Sequence, residues 1–365
     1  MVQRRKQMAK EFSFPVFKTK IEGLSQPFAL EDPVERRKYF ELKAGKEIEK
    51  IREYLERGNF LAILLGPKNS GKGTYSKLFA EAIGGDRIRH ISVGDIVRDV
   101  HAGFKDKKEE EKLAAFLRTR YRGALPLNQA IDALLGRSTS SLLPTELILA
   151  LIEYEISKDE KKAIFVDGFP RSMDQISYSI YFRELMGYQD NPDFFVFIDV
   201  PETIIGERMK YRVVCPRCHA PRNLKLLRTK EIGYDKEKDE FYLMCDDPQC
   251  GHARMSVKEG DDLGIEAIRE RIEADKAVMQ TLLKMEGVPK VYLRNAIPVA
   301  EAAQAVDAYE LTPSYEYTYD AREGKVRVKE IPWVVPDEDG VPSYSLLPAT
   351  VVTGLIKQVP GALGI

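Results

Sequence analysis

The first chemistry in this chain is a lysine set among glycines where an apolar run ends. Residues 60–74 read Phe-Leu-Ala-Ile-Leu-Leu-Gly-Pro-Lys-Asn-Ser-Gly-Lys-Gly-Thr. Gly66, Gly71 and Gly73 let backbone N–H groups approach a polyphosphate, the helix that follows offers its positive end, and Lys72 adds a mobile charge. With Asn69, Ser70 and Thr74 they form a cradle whose ligand class is a nucleoside triphosphate. Gly73 stands where the general phosphate-loop pattern has a magnesium-binding hydroxyl, and pushes Thr74 one place on.

Two other segments put charge at the ends of apolar runs. Phe165–Arg171 is Phe-Val-Asp-Gly-Phe-Pro-Arg, and Ile91–Arg98 is Ile-Ser-Val-Gly-Asp-Ile-Val-Arg. A guanidinium binds phosphate oxygens through a rigid fork, so Arg98 and Arg171 converging from neighbouring strand ends would hold a second phosphorylated molecule. Four cysteines fall in two close pairs, Cys215/Cys218 and Cys245/Cys250, with 26 residues between them. Two such knuckles can present four thiolates tetrahedrally to zinc and staple a subdomain too small to hold its own core. His219 and His252 stand close enough to replace a cysteine, whereas His90 and His101 show no partner pattern.

The elements that must position these groups follow from periodicity. Leu61–Leu65, Ile88–Val93, Ala163–Asp167, Phe194–Val200 and Val288–Leu293 are the strand candidates, and helical patterns alternate with them. That order predicts an α/β fold, a doubly wound parallel sheet with helices on both faces and its ligand site at the strands' carboxyl ends. A helix is expected from about Pro33 to Arg57, packed on the exterior. Tyr315–Tyr319 and Lys325–Ile331 read as a hairpin, followed by a Pro/Gly-rich stretch to Ile365 whose role is not legible. The charge run Lys105–Lys112 reads as a solvated helix face.

The whole chain sets bounds. It has 365 residues, 44% of them hydrophobic, which suits a soluble globular protein with a packed core. Fifty-six basic against fifty-seven acidic residues leave a formal charge of -1, so no bulk attraction to nucleic acid or membrane is expected. No apolar run approaches the roughly 18 residues of a membrane span, and Met1–Lys10 leads into no secretory core, so the expected location is cytoplasmic.

Over about residues 59–309 these motifs resemble those of adenylate kinases and their nucleoside monophosphate kinase relatives. The likeness rests on the glycine loop, on Asp-Gly-Phe-Pro-Arg at 167–171 and on the helix segment Pro144–Ile156. It implies Mg²⁺-dependent, reversible transfer of the γ-phosphoryl group of ATP to AMP, giving two ADP. Lys72 would contact the β- and γ-phosphates, Arg98 and Arg171 the acceptor phosphate, and Asp167 would hold Mg²⁺ through water. Val93, Gly94, Leu143, Gly168 and Gln175 match acceptor-binding positions, Gln175 the one that reads the adenine edge. Glu207–Arg212 is similar to the segment entering a mobile lid, with Arg208 near the donor adenine and Arg212 at the transferring phosphate, and Arg269 on the helix leaving the lid matches a further phosphate-binding arginine. The implied division is an N-terminal extension 1–58, a kinase core 59–310 with an enlarged acceptor-binding insertion 95–160 and a zinc lid 213–262, and a C-terminal extension 311–365, both extensions with unknown protein partners.

The chain also departs from the family. Val93 replaces a threonine near the acceptor base, Glu259 stands where an arginine precedes Asp261 and Asp262, and four residues separate the last two cysteines instead of two. These leave open a UMP, CMP or GMP acceptor, or a nucleotide-binding scaffold without turnover.

Overall fold

A computed structural model describes residues 14–16, 18–24, 26–101, 107–134, 143–158, 162–177, 193–218, 220–257 and 264–365. The expectations for Lys258–Asp262, for His219 and for the side chain of His101 lie outside the described residues. The first half runs α1 (Pro33–Tyr54), β1 (Leu61–Leu65), α2 (Lys72–Ile83), β2 (Ile88–Ser92), α3 (Val93–His101), α4 (Lys107–Arg120), α5 (Leu127–Leu134), α6 (Thr145–Ser157), β3 (Ala163–Asp167), α7 (Met173–Ser177) and β4 (Asp193–Asp199). There follow α8 (Glu202–Lys210), β5 (Arg212–Val214), β6 (Pro221–Asn223), β7 (Ile232–Asp235), β8 (Glu240–Leu243), β9 (Ser256–Val257), α9 (Arg269–Leu283), β10 (Lys290–Arg294), β11 (Ile297–Pro298) and α10 (Val299–Ala305). The chain closes with β12 (Pro313–Asp320), β13 (Lys325–Pro332), β14 (Val334–Pro336), β15 (Pro342–Tyr344) and α11 (Pro348–Leu363).

Five strands form one parallel sheet in the order β10-β4-β1-β3-β2. The inner strands β1, β3 and β4 are apolar on both sides, and alternation sends their residues into two layers. Ala62, Leu64, Phe165, Phe194, Val196 and Ile198 face α2 and the terminal helices. Leu61, Ile63, Leu65, Val166, Phe195 and Phe197 face α6 and α9. The central strand β1 lies between β3 and β4, where the winding reverses, so its carboxyl end opens into a crevice. The glycine loop is built there.

The expected strands and helix α1 are present within a few residues of their expected ends. One shift bears on the site: Val93 ends no strand but opens α3, and its side chain is buried in the core. Helix α1 lies outside α2 and buries Tyr39, Phe40, Ile48 and Ile51 against it and against α11. The Pro/Gly-rich terminal stretch holds the short strands β14 and β15 and then a 16-residue helix, α11. Pro348 starts it, where a missing N–H costs nothing, and Val351, Val352, Leu355, Ile356 and Val359 bury one stripe in the main core.

Two further units rise from this base. Helices α3 to α6 enclose their own cluster around Leu117, Leu134, Leu147 and Tyr154. The exposed Lys107, Lys108, Glu110 and Glu111 on α4 agree with a solvated face. Strands β5 to β9 make a lid whose small core holds Cys215, Leu243, Cys245, Cys250 and Met255. The β12–β13 hairpin lies against this lid: Tyr315 N–H donates to the Lys225 carbonyl, and the rings of Tyr319 and Tyr234 stack with centroids 4.4 Å apart.

Candidate active site

At the carboxyl end of β1 the chain turns through Asn69 and Gly71, both with positive φ, before α2 begins at Lys72. A Cβ on Gly66 would lie 2.8 Å from Ser70 Oγ and 2.9 Å from the Ile198 carbonyl oxygen, and one on Gly71 would strike the Tyr75 ring at 2.7 Å. These two positions therefore require glycine. Gly73 has ordinary space around it, so its lack of a side chain is not forced by packing. Lys72 Nζ donates to the carbonyls of Gly66 at 2.8 Å and Pro67 at 3.0 Å, and lies 3.8 Å from Asp167.

Two cavities meet at this loop. The first, about 680 Å³, is lined by Asn69–Tyr75, Arg208, Arg212, Leu226, Leu346 and Pro348 among others. The second, about 380 Å³, is lined by Gly94, Arg98, Gly168, Arg171, Arg271 and Asp275. Asn69, Lys72 and Asp167 border both. A Cβ on Gly94 would lie 3.6 Å from both Arg98 Nη1 and Arg171 Nη2, so the two guanidiniums approach one point. Arg171 also lies flat against Gly168, where a Cβ would come within 2.5 Å of Nη2.

The second cavity is electrostatically unbalanced. Burial pushes the Lys72 ammonium and the Arg171 guanidinium below their ordinary pKa values; Arg271 adds to this for both, while Asp167 and Asp275 oppose it. Buried Nε atoms of Arg171 and Arg271 have no hydrogen-bond partner in the protein. Such crowded, undersatisfied cations are what a phosphate would balance.

The remaining expected residues are distributed as follows. Arg212 reaches from the lid to the loop, its Nη1 donating to Asn69 Oδ1 at 2.9 Å. Arg208 lies in the first cavity beside the Tyr75 hydroxyl. Gln175 is buried and accepts the Arg171 backbone N–H at 2.7 Å, which fixes the turn carrying that arginine. Leu143 is half-buried between the sheet layer and the α3–α6 cluster. Val93, Leu143 and Gln175 do not line the second cavity. Arg269 stands apart: it bonds Glu266 and lies 3.5 Å from Glu202, outside both cavities. The arginine that α9 brings to the site is Arg271, together with Asp275 one turn on. The sequence signal for it was the i,i+4 spacing of Arg271 and Asp275, which puts both on one helix face.

In the lid the sulfurs of Cys215, Cys218, Cys245 and Cys250 all lie within 4.8 Å of one another. Tetrahedral zinc with bonds near ~2.3 Å needs sulfurs about 3.8 Å apart; Cys218 and Cys245 are 3.7 Å apart. The set therefore fits a metal. His252 is 72% exposed and pairs with Glu231 at 3.1 Å, outside the cluster.

The doubly wound parallel sheet with a phosphate loop at its switch point defines a P-loop kinase. Residues 65–215 match the model of an AAA domain family. The chain is 31% identical to the adenylate kinase of Thermotoga neapolitana over 240 residues, 66% of this chain and 83% of that one. It is 31% identical to the adenylate kinase of Clostridium novyi over 246 residues, 67% and 92% of the two chains, and 30% identical to that of Clostridium acetobutylicum over 234 residues, 64% and 86%. The chain belongs to the adenylate kinase family of nucleoside monophosphate kinases. No helix among the described residues is long and apolar enough to cross a membrane.

Proposed function

We propose that the protein transfers the γ-phosphoryl group of ATP to AMP, giving two ADP. The observation that carries this reading is the meeting of the two cavities at Lys72 and Asp167, with the Arg98–Arg171 fork facing into the second. Triphosphate in the first cavity would end at Lys72, and the phosphate of a nucleotide held by Arg98, Arg171 and Arg271 would stand in line with it. A phosphoryl transition state is stabilised almost wholly by positioned charge, and this chain supplies cations on both sides of the transfer point.

Arg212 approaches the same point from the lid, so closure of the lid would complete the charge and exclude water. Arg208 would lie on the donor base. Asp167 would hold Mg²⁺ through water, and the ion would neutralise the β- and γ-oxygens. Zinc on the four cysteines would fix the lid's shape and take no part in transfer. Val93 is buried and offers no hydroxyl, so the AMP base would be held by shape and backbone. Competent side chains at every phosphate-contacting position but one, that of Glu259, favour turnover over a scaffold.

The test is a panel of AMP, UMP, CMP and GMP with MgATP. ADP formation with AMP at a kcat/KM at least about tenfold above the others is expected. Preference for another monophosphate would leave the class standing and overturn the acceptor, and tight ATP and AMP binding without turnover would favour the scaffold.

A further inference from the structure

Part of the wall of the first cavity comes from residues beyond 310. Leu346, Leu347 and Pro348, together with Thr312, line it just before α11 begins. This short segment is fastened on every side. Asn295 is fully buried, and its Nδ2 donates to the Tyr75 hydroxyl at 2.7 Å and to the Leu346 carbonyl at 3.2 Å. Its Oδ1 accepts from the Ser345 hydroxyl at 2.8 Å and from Leu346 N–H at 3.2 Å. Ser345 O accepts from Thr312 N–H at 2.8 Å, and Leu347 N–H donates to the Glu310 carbonyl at 2.9 Å. Tyr75 belongs to α2, the helix that starts from the phosphate loop, so a single amide ties the terminal segment to the phosphate cradle.

We propose that Ser345–Pro348 is the base-facing wall of the triphosphate site, with Leu347 and Pro348 touching the purine and Asn295 acting as a positioning residue. The inference rests on the reading that the first cavity takes a nucleoside triphosphate. A planar base has two apolar faces, and the lining of this cavity offers it the Arg208 guanidinium and the apolar side chains of Leu347 and Pro348. Because the segment's N–H and carbonyl groups are already bonded within the protein, the wall is held in shape before the nucleotide arrives, which lowers the ordering cost of binding. The C-terminal extension is on this account part of the nucleotide site.

The experiment compares calorimetric binding of MgATP and of inorganic tripolyphosphate with Mg²⁺, since only the former has a base. Leu347→Ala should weaken ATP about fivefold, as expected for losing one side chain's apolar contact, with tripolyphosphate changed less than about twofold. Asn295→Ala should act in the same sense through a displaced wall. Should Leu347→Ala fold poorly, Pro348→Ala serves, because alanine is well tolerated in the first turn of a helix. Unchanged ATP affinity in the folded variants, or parallel loss of ATP and tripolyphosphate, overturns the proposal. Wild-type protein that binds neither compound overturns the triphosphate reading itself, and the wall with it.

Discussion

Arg269 and Arg271 open the same helix, and a step of two residues turns a side chain through about 200° around the axis. One of them meets Glu266 and Glu202 on the surface while the other meets Asp275 beside the phosphate loop. On this basis Arg271→Ala should lower kcat by about 10²–10³, and Arg269→Ala by less than about threefold, since exposed ion pairs contribute little. Steady-state kinetics on the two variants checks this, and equal losses would contradict the geometry. Most of the site was legible at this scale, because glycines at 66 and 71 and arginines at 98 and 171 are demanded by chemistry at fixed spacing. What escaped was the choice between two arginines in Ile-Arg-Glu-Arg-Ile, which is set by which face of α9 packs inward.

The lid is the element whose stability is least explained by its own core, which comprises Cys215, Leu243, Cys245, Cys250 and Met255. So small a cluster needs a staple. Replacing Cys215 with serine should release bound zinc and lower the melting temperature by more than about 5 °C. Elemental analysis and thermal melts on one sample measure both, and an unchanged melting curve would argue against a metal-held lid. The hairpin against the lid was readable from strict alternation in Tyr315–Tyr319. Helix α11 was not, because Pro348, Gly354, Pro360 and Gly361 mimic a loop. Its apolar stripe, buried by α1, α2 and β10, overrides weak local propensity.

Across the whole molecule, the doubly wound parallel sheet with its ligand site at the strands' carboxyl ends followed from β-α-β alternation and right-handed crossovers, whereas the order of the strands is read from the structure. How the terminal segments join could not be read, since it depends on long-range pairs. Glu310, fully buried, accepts from Tyr39 and Thr19, Lys43 bonds Asp307 at 2.7 Å, and the Thr350 hydroxyl of α11 donates to the Glu310 carbonyl at 3.2 Å, so residues of both terminal segments meet at Asp307 and Glu310. The first and last segments thus share a core with the sheet, and the terminal one reaches the triphosphate cavity. The central claim remains that two phosphorylated ligands meet end to end at Lys72 and Asp167. A crystal structure with a bisubstrate compound, two adenosines joined through their 5′ oxygens by a polyphosphate, tests it most directly. The account predicts phosphates running from Lys72 to Arg98 and Arg171 with Arg212 closed over them; a compound seated elsewhere, or those arginines turned away from it, would contradict it.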